Sequence, residues 1–376
     1  MCEGGRAHHR GEVVPRRMIH YNGPINSRPR RTRGRRFSVG ERMIAPPAAQ
    51  DRAGILQCMI LMRRFEEEVL RIAQDHPYVG RQHLHIGHEA TGAAVVSRLT
   101  PDDLFHTTHR NHGYLIARGA DPGRAFAEIM GRKDGLNGGR GGPWHLCDRA
   151  SGFLSTSAMV GGSVGLAVGA GFGLKTQGSN AIAITHFGDG TLDEGICLEA
   201  LNLASIFSLP VLFLCENNAK EGQRPSSMLA AKALRDLPEA LQIRAIVVDG
   251  RDADAVAEGA KDAVAHIRGG AGPVFLQANL ERWPGSHQTK PEFPTGVTDL
   301  SLAWEEDRIE GNHADWVRDH DGLRAFAKTL VEDGSLSRER VLEMDREVLE
   351  LLAKAREFAE ASPYPDPGSL MTGVFA

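Results

Sequence analysis

From residue 181 to residue 280, short apolar runs alternate with segments of helical periodicity, and this alternation is the strongest constraint on the fold. Four apolar runs are predicted to be strands: 181–187, 211–215, 243–248 and 274–280. Helices are predicted between them, at about 193–207 and 252–267. Strands separated by helices of this length are joined by right-handed crossovers. The sequence therefore predicts an α/β fold with a doubly wound parallel sheet.

The regions on either side of this core show different patterns. Residues 51–73 have helical spacing, and residues 313–361 are predicted to be a helical C-terminal region. The sequence between residue 73 and about residue 142 is rich in histidine and glycine. It is predicted to connect the first helix to the rest of the fold. We expect residues 46–376 to form one domain.

Residues 1–45 differ in composition from the rest of the chain, because the first 36 residues carry ten arginines and only two glutamates. An organelle transit peptide and a docking tail for nucleic acid are both conceivable. The segment is neither Ser-rich nor amphipathic, however, and its prolines would break a helix. We expect a disordered extension, with Met43 as an alternative start.

Charge and cysteine content bound the possible partners. A formal net charge of −4 does not favour nucleic acid, and five cysteines without a CxxC pair predict a reduced, intracellular protein. Residues 158–174 carry no charge but are shorter than the roughly 20 residues that span a bilayer. Gly161, Gly165, Gly169 and Gly173 recur every four residues, which predicts a helix packed closely against a neighbour within this chain or in another subunit. We expect no membrane partner.

Polar residues follow two of the predicted strands. Gly188-Asp189-Gly190 ends the first strand and Asn217-Asn218 ends the second. Side chains at the carboxyl ends of parallel strands lie close together, and carboxylate and amide oxygens suit Mg²⁺. The two glycines would let the backbone approach a diphosphate, and Thr191 would open a helix whose free N–H groups favour an anion. A single Gly-Asp-Gly is usually a plain turn, but the Asn pair favours a binding site.

With twenty-six residues between them, Gly188-Asp189-Gly190 and Asn217-Asn218 resemble the thiamine diphosphate fingerprint. Further motifs resemble the alpha subunit of the thiamine-dependent component of pyruvate, branched-chain 2-oxo acid and acetoin dehydrogenases. These motifs begin at about residue 50 and include residues 83–90, 109–113, 131–133, 139–142, 199–202 and 209–211.

The resemblance implies roles for individual residues. It implies that Asp189, Asn218 and the carbonyl of Lys220 bind Mg²⁺. It also implies that Arg110 binds the diphosphate, with His109 next to it in place of the usual Tyr. Gly188, Gly190 and Thr191 are implied to contact the phosphates. The backbones of Ala158 and Val160 are implied to contact the aminopyrimidine. His83 matches a histidine at the mouth of the substrate pocket.

One loop departs from the family. Relatives have Arg, two residues and then Gly-His-Ser, whereas this chain has Gly285-Ser286-His287 after Arg282. We expect His287 to act as the catalytic acid or base, with His83 and His112 as further candidates for the proton donor.

The family also implies partners. The glutamate that activates the cofactor belongs to a beta subunit, so we expect an α2β2 heterotetramer that acts on a 2-oxo acid or acyloin and transfers the acyl group to a lipoyl acyltransferase. We expect the protein in the bacterial cytoplasm rather than in the mitochondrial matrix. Two alternatives remain: a non-oxidative, transketolase-like carboligase half-enzyme, with which Asp193-Glu194-Gly195 is compatible, and a regulatory subunit without turnover.

Overall fold

The computed structural model describes residues 45–48, 51–218, 231–285 and 298–372. Within these residues six parallel strands form one sheet in the order β2-β1-β3-β4-β6-β5. The strands are β1 Leu104–Thr108, β2 Phe153–Ser157, β3 Ala183–Gly188, β4 Val211–Asn217, β5 Arg244–Asp249 and β6 Val274–Asn279. The predicted doubly wound parallel sheet is confirmed, and the four strands predicted after residue 180 are β3 to β6.

Helices connect the strands and cover the sheet. They are α1 Arg52–Asp75, α2 Glu89–Val96, α3 His112–Ala117, α4 Pro122–Ile129, α5 Gly162–Thr176, α6 Gly195–Ile206, α7 Asp236–Ala240, α8 Ala253–Arg268, α9 Ala314–Asp319, α10 Gly322–Glu332 and α11 Arg338–Ala361. Side chains cap several of them: Asp51 accepts from the first turn of α1, Asp252 from α8 and Ser337 from α11. Such N-caps are typically worth about 1 kcal/mol each.

The prediction that the residues up to 142 only connect the first helix to the rest of the fold is wrong, because this region contains β1 and α2 to α4. All eight residues of α2 are buried, so this helix has no polar face and no periodicity to detect. Strand β1 is polar yet buried, because its side chains are paired inside the fold: His106 Nδ1 lies 2.7 Å from the hydroxyl of Ser155, and Thr107 Oγ1 lies 2.6 Å from Nδ1 of His186.

Two apolar layers enclose the sheet. On one face the core includes residues of α1, α2, α8, α10 and α11, and on the other it includes residues of α5 and α6. Because both faces are covered, β3, β4 and β6 are almost continuously buried. No helix in the described part of the chain is long and apolar enough to cross a membrane.

Among the described residues, only the start of the glycine seam at α5 has close neighbours. A Cβ on Gly161 would approach Ile196 to 2.6 Å, and one on Gly165 would approach it to 3.4 Å. Nothing lies within 4 Å of the corresponding positions on Gly169 and Gly173. The described residues therefore leave the second half of the seam open.

Candidate active site

The strand order places a crevice between β1 and β3. The chain runs from β1 outward to β2 and then returns to the other side of β1 to form β3. Such a switch in direction opens a crevice at the carboxyl ends of the strands, where ligands bind in open parallel sheets. A cavity of about 190 Å³ lies there. It is lined by Thr108, His109, Arg110, Val160, His186, Gly188, Asp189, Gly190, Thr191, Glu216, Asn218 and Arg282.

The oxygen-bearing side chains proposed for a metal meet in this cavity. Gly188 pairs with Glu216 across β3 and β4, which brings Asp189 and Asn218 to the same edge of the sheet. Asp189 is buried and Asn218 is half-buried. The neighbouring Asn217 donates its side-chain N–H to Asn279 over 2.9 Å, which fixes the end of β4 against β6. A carboxylate and a carboxamide oxygen are a donor set that fits Mg²⁺. Lys220, the predicted third ligand, lies outside the described residues.

The cavity also carries positive charge. Arg110 is buried, and burial together with the nearby Arg282 lowers the pKa of its guanidinium to about 10, so it stays charged at neutral pH. One of its N–H groups donates to the carbonyl of Leu84, which holds the side chain in place. A buried cation of this kind favours an anionic ligand.

The chain segment after Gly190 differs from the prediction. Asp189–Asp193 forms a 3₁₀ turn, and α6 begins only at Gly195. Gly190 and Thr191 therefore lie in the turn and line the cavity, rather than opening the long helix. A Cβ added at Gly190 would meet no atom within 4 Å, so the backbone is open to a ligand there.

Two of the predicted histidines are in contact: His109 lines the cavity, and His83, which is not among the lining residues, packs against it. The rings of His83 and His109 are 4.2 Å apart, and His83 also lies 5.4 Å from Trp144 between ring centres. Burial, with His109 next to it, lowers the pKa of His83 to about 3, and burial with Arg110 lowers that of His109 to about 4. Both imidazoles are therefore neutral at physiological pH.

His112 and Ala158 do not line the cavity. Both ring nitrogens of His112 are engaged: Nδ1 lies 3.0 Å from Glu66 and Nε2 lies 2.9 Å from the carbonyl of Pro143. Because both partners are oxygen acceptors, the ring is held as an imidazolium. Ala158 is half-buried in the segment between β2 and α5, two residues before Val160. His287 lies outside the described residues, so its predicted role stays a prediction.

Four cavity residues were not predicted from the sequence: Thr108, His186, Glu216 and Arg282. His186 and Glu216 had a detectable signal, since each is an ionisable residue in a mostly apolar strand just before the strand ends. A buried polar residue in a core strand needs a partner, which makes such positions candidates for a site.

Fold and cavity together define a parallel α/β protein with a polar, cationic ligand site at its topological switch point. Residues 57–368 match the family model described as "Dehydrogenase E1 component", and the chain belongs to that family. This confirms the resemblance predicted from the motifs and classes the chain as a dehydrogenase-type oxidoreductase. Membership implies thiamine diphosphate as the cofactor.

The chain is similar to the alpha subunit of acetoin:2,6-dichlorophenolindophenol oxidoreductase of Cupriavidus necator, with 33% identity over 84% of this chain and 92% of the relative. The corresponding subunit of Bacillus subtilis is 31% identical over 85% and 92%. The pyruvate dehydrogenase E1 component subunit alpha of Rickettsia felis is 31% identical over 84% and 93%. All three relatives are named as alpha subunits, which implies a partner subunit.

Proposed function

We propose that this chain is the alpha subunit of a 2-oxo acid or acetoin dehydrogenase that binds thiamine diphosphate through Mg²⁺. The observation that carries this proposal is the meeting of Arg110, Asp189 and Asn218 in one cavity at the carboxyl ends of the strands. A cation for a diphosphate and hard oxygen ligands for its metal are the groups that such a cofactor needs.

Each part of the cavity has a role in this proposal. The guanidinium of Arg110, the open backbone at Gly190 and the neighbouring Gly188 and Thr191 hold the diphosphate. Asp189, Asn218 and the carbonyl of Lys220 hold Mg²⁺. The backbones of Ala158 and Val160 hold the aminopyrimidine. When bound, the cofactor supplies a nucleophilic carbon that stores the electron pair released by decarboxylation.

The chain's own histidines handle protons and orientation. His83 is neutral at physiological pH and lies against His109, so it can donate a hydrogen bond at the mouth of the pocket without adding charge. His287 is proposed as the general acid near the substrate carbonyl. His112 holds its proton between two acceptors, which favours a positioning role over proton transfer.

An exposed apolar surface supports the proposed beta subunit. Large apolar side chains on α5, α6 and the adjoining residues are 40 to 75% exposed, and they include Met159, Leu166, Phe172, Ile196, Leu203, Ile206 and Phe207. Apolar patches of this extent are typical of protein interfaces. Val160 lies both on this surface and at the cavity, so a partner that covers the surface would also close the site. The beta subunit and the α2β2 assembly are proposed on this basis.

The test uses this chain coexpressed with its beta subunit. Its substrates are chosen from the names of the relatives. The purified complex should oxidise acetoin or decarboxylate a 2-oxo acid such as pyruvate, with 2,6-dichlorophenolindophenol as the electron acceptor. Addition of a lipoyl domain would test acyl transfer to lipoyl. Ketol transfer in place of oxidation would contradict the proposal in favour of a carboligase. Cofactor binding without any turnover would indicate a regulatory subunit.

A further inference from the structure

A buried polar cluster lies beside the cavity, centred on Glu216 at the end of β4. Its carboxylate lies 2.7 Å from Nε2 of His186, 2.6 Å from Nδ1 of His88 and 2.7 Å from the hydroxyl of Tyr114. Nε2 of His85 is 3.8 Å from the same carboxylate. All five side chains are buried, with exposed fractions of at most 1%. Four chain segments thus meet around one carboxylate.

Three ring nitrogens of this cluster have no hydrogen-bond partner among the residues that the structure describes. Neither ring nitrogen of His85 makes a hydrogen bond, and Nε2 of His88 makes none either. A buried polar group without a partner loses the hydrogen bonds that it makes to water in the unfolded chain, which destabilises the fold. Since His85 is fully buried, bulk water does not compensate for this loss. The arrangement is therefore explained more easily if a ligand lies between His85 and its neighbours.

We propose that His85, His186 and Glu216 form a binding site for a divalent transition metal ion, with Zn²⁺ as the best match. The candidate ligand atoms of these three residues lie within 4.8 Å of one another. In a tetrahedral zinc site with bonds of about 2.0–2.1 Å, ligand atoms are roughly 3.3 Å apart. Nε2 of His186 lies 2.7 Å from one carboxylate oxygen of Glu216, and Nε2 of His85 lies 3.8 Å from the other. Side-chain rotations that lengthen the first distance and shorten the second would complete the site.

Neighbouring groups orient the proposed ligands. The hydroxyl of Thr107 lies 2.6 Å from Nδ1 of His186 and can accept a hydrogen bond from that nitrogen. Nε2, which lies 2.7 Å from the carboxylate of Glu216, is then the ring nitrogen available to the metal once it moves away from the carboxylate. His88 and Tyr114 donate to the carboxylate of Glu216. Outer partners of this kind fix the tautomer and orientation of metal ligands.

The proposed zinc ligands differ from the proposed Mg²⁺ ligands Asp189 and Asn218, which line the same cavity. Two imidazoles and one carboxylate favour zinc and related metals, whereas Mg²⁺ favours oxygen ligands alone. His186 and Glu216 also line the cavity, so a metal ion can enter from it and a fourth coordination position can face it. Three protein ligands with one open position are the pattern of zinc sites that also bind water or substrate.

The test uses the full chain, stripped with a chelator and then dialysed against Zn²⁺ in excess Mg²⁺. We expect close to one zinc per chain by elemental analysis, and a tetrahedral visible spectrum when Co²⁺ replaces Zn²⁺. The variant His85→Asn should bind zinc at least tenfold more weakly and lose the cobalt spectrum. His145→Asn is the matched control, because His145 is exposed and lies outside the cluster.

A second variant keeps the test informative if His85→Asn does not fold. Thr107→Val keeps the shape of the side chain but removes the hydroxyl that orients His186, and loss of such an outer partner typically costs about 10–100-fold in affinity. Circular dichroism of each apo variant reports on its fold. Zinc binding that is absent from the wild type, or unchanged in both His85→Asn and Thr107→Val, would overturn the proposal.

Discussion

The carboxylate of Glu66 lies 3.0 Å from Nδ1 of His112, and both side chains are fully buried. The other oxygen of Glu66 accepts the backbone N–H of His85 over 2.8 Å. One carboxylate of α1 therefore joins α3 to the segment that precedes α2. This relationship fixes the position of two histidines next to the candidate site.

The pair of Glu66 and His112 predicts a pH dependence. Burial would lower the pKa of His112, but Glu66 outweighs burial and raises it above its usual value. A raised folded pKa means that the stabilisation is fully present below the unfolded value of about 6.5 and is lost as pH rises through the folded value. Glu66→Gln should therefore destabilise the chain most below pH 6.5 and less at alkaline pH.

Urea unfolding of Glu66→Gln and wild type from pH 5.5 to 9 measures this difference. Glu343→Gln is the control, because the ion-pair partner of Glu343 is the exposed Arg340 and not a histidine. A destabilisation by Glu66→Gln that does not change with pH would show that His112 is not held as an imidazolium.

His109 predicts sensitivity to acid. Its pKa is lowered to about 4, first by burial and then by Arg110. Because the unfolded histidine takes up a proton near pH 6.5, this contribution to stability is present above that value and is lost as pH falls toward 4. His109→Tyr, which introduces the residue usual in the family, should lose less stability between pH 6.5 and 4.5 than wild type. His145→Tyr, at an exposed position, should follow wild type, and identical acid profiles of all three proteins would refute the prediction.

Asp189→Ala should abolish Mg²⁺-dependent binding of thiamine diphosphate while the fold is retained. The carboxylate is the charged member of the proposed ligand set, and a methyl group cannot replace it. Calorimetric titration of the subunit complex measures the affinity. Asp193→Ala is the control, because Asp193 lies at the end of the same 3₁₀ turn but is exposed. Wild-type affinity in Asp189→Ala would rule out this metal assignment.

His287→Ala should reduce turnover of the complex with its beta subunit, while cofactor affinity changes little. General acid–base catalysis is typically worth about 10²–10⁴ in rate. Ser286→Ala is the matched neighbour and should be nearly silent, because a hydroxyl does not titrate near neutral pH. Full activity of both variants, or the reverse order of effects, would transfer the proton-donor role to His83, His112 or the partner chain.

Arg63→Met should destabilise the chain strongly. Arg63 binds Glu89 at 2.6 Å and Asp321 at 2.9 Å, and all three groups are buried. Its loss leaves two carboxylates buried without their partner, which typically costs ~3–5 kcal/mol. Arg244→Met is the control, because Arg244 and Asp262 are 43% and 53% exposed and such pairs are worth less than about 1 kcal/mol. Equal unfolding midpoints of the two variants in urea would contradict this assignment.

The sequence alone was sufficient for the second half of the sheet and for the position of the cavity. Strands β3 to β6 and the helices α6 and α8 each have a local pattern, because an apolar strand and an amphipathic helix can be recognised from neighbouring residues. The convergence of Asp189 and Asn218 followed from the rule that parallel strands end at one edge.

The helical spacing of residues 51–73 predicted α1, but only the tertiary structure decided the fold between α1 and residue 142. In α2 every residue is buried, and in β1 the polar groups of His106 and Thr107 are paired with partners on other strands. Burial on all sides removes the contrast between polar and apolar positions on which sequence patterns depend. For this reason residues up to 142 were predicted to be connecting sequence.

The same limit applies to the buried cluster around Glu216. Its members come from β3, β4, α3 and the segment before α2, and Glu216 is 128 residues from His88 and 102 from Tyr114. Each residue by itself is only a polar side chain in an apolar context. The distances of 2.6 to 3.8 Å between Glu216 and the other side chains of the cluster are produced by the order of the strands and the packing of α2 and α3, which no local property of the sequence encodes.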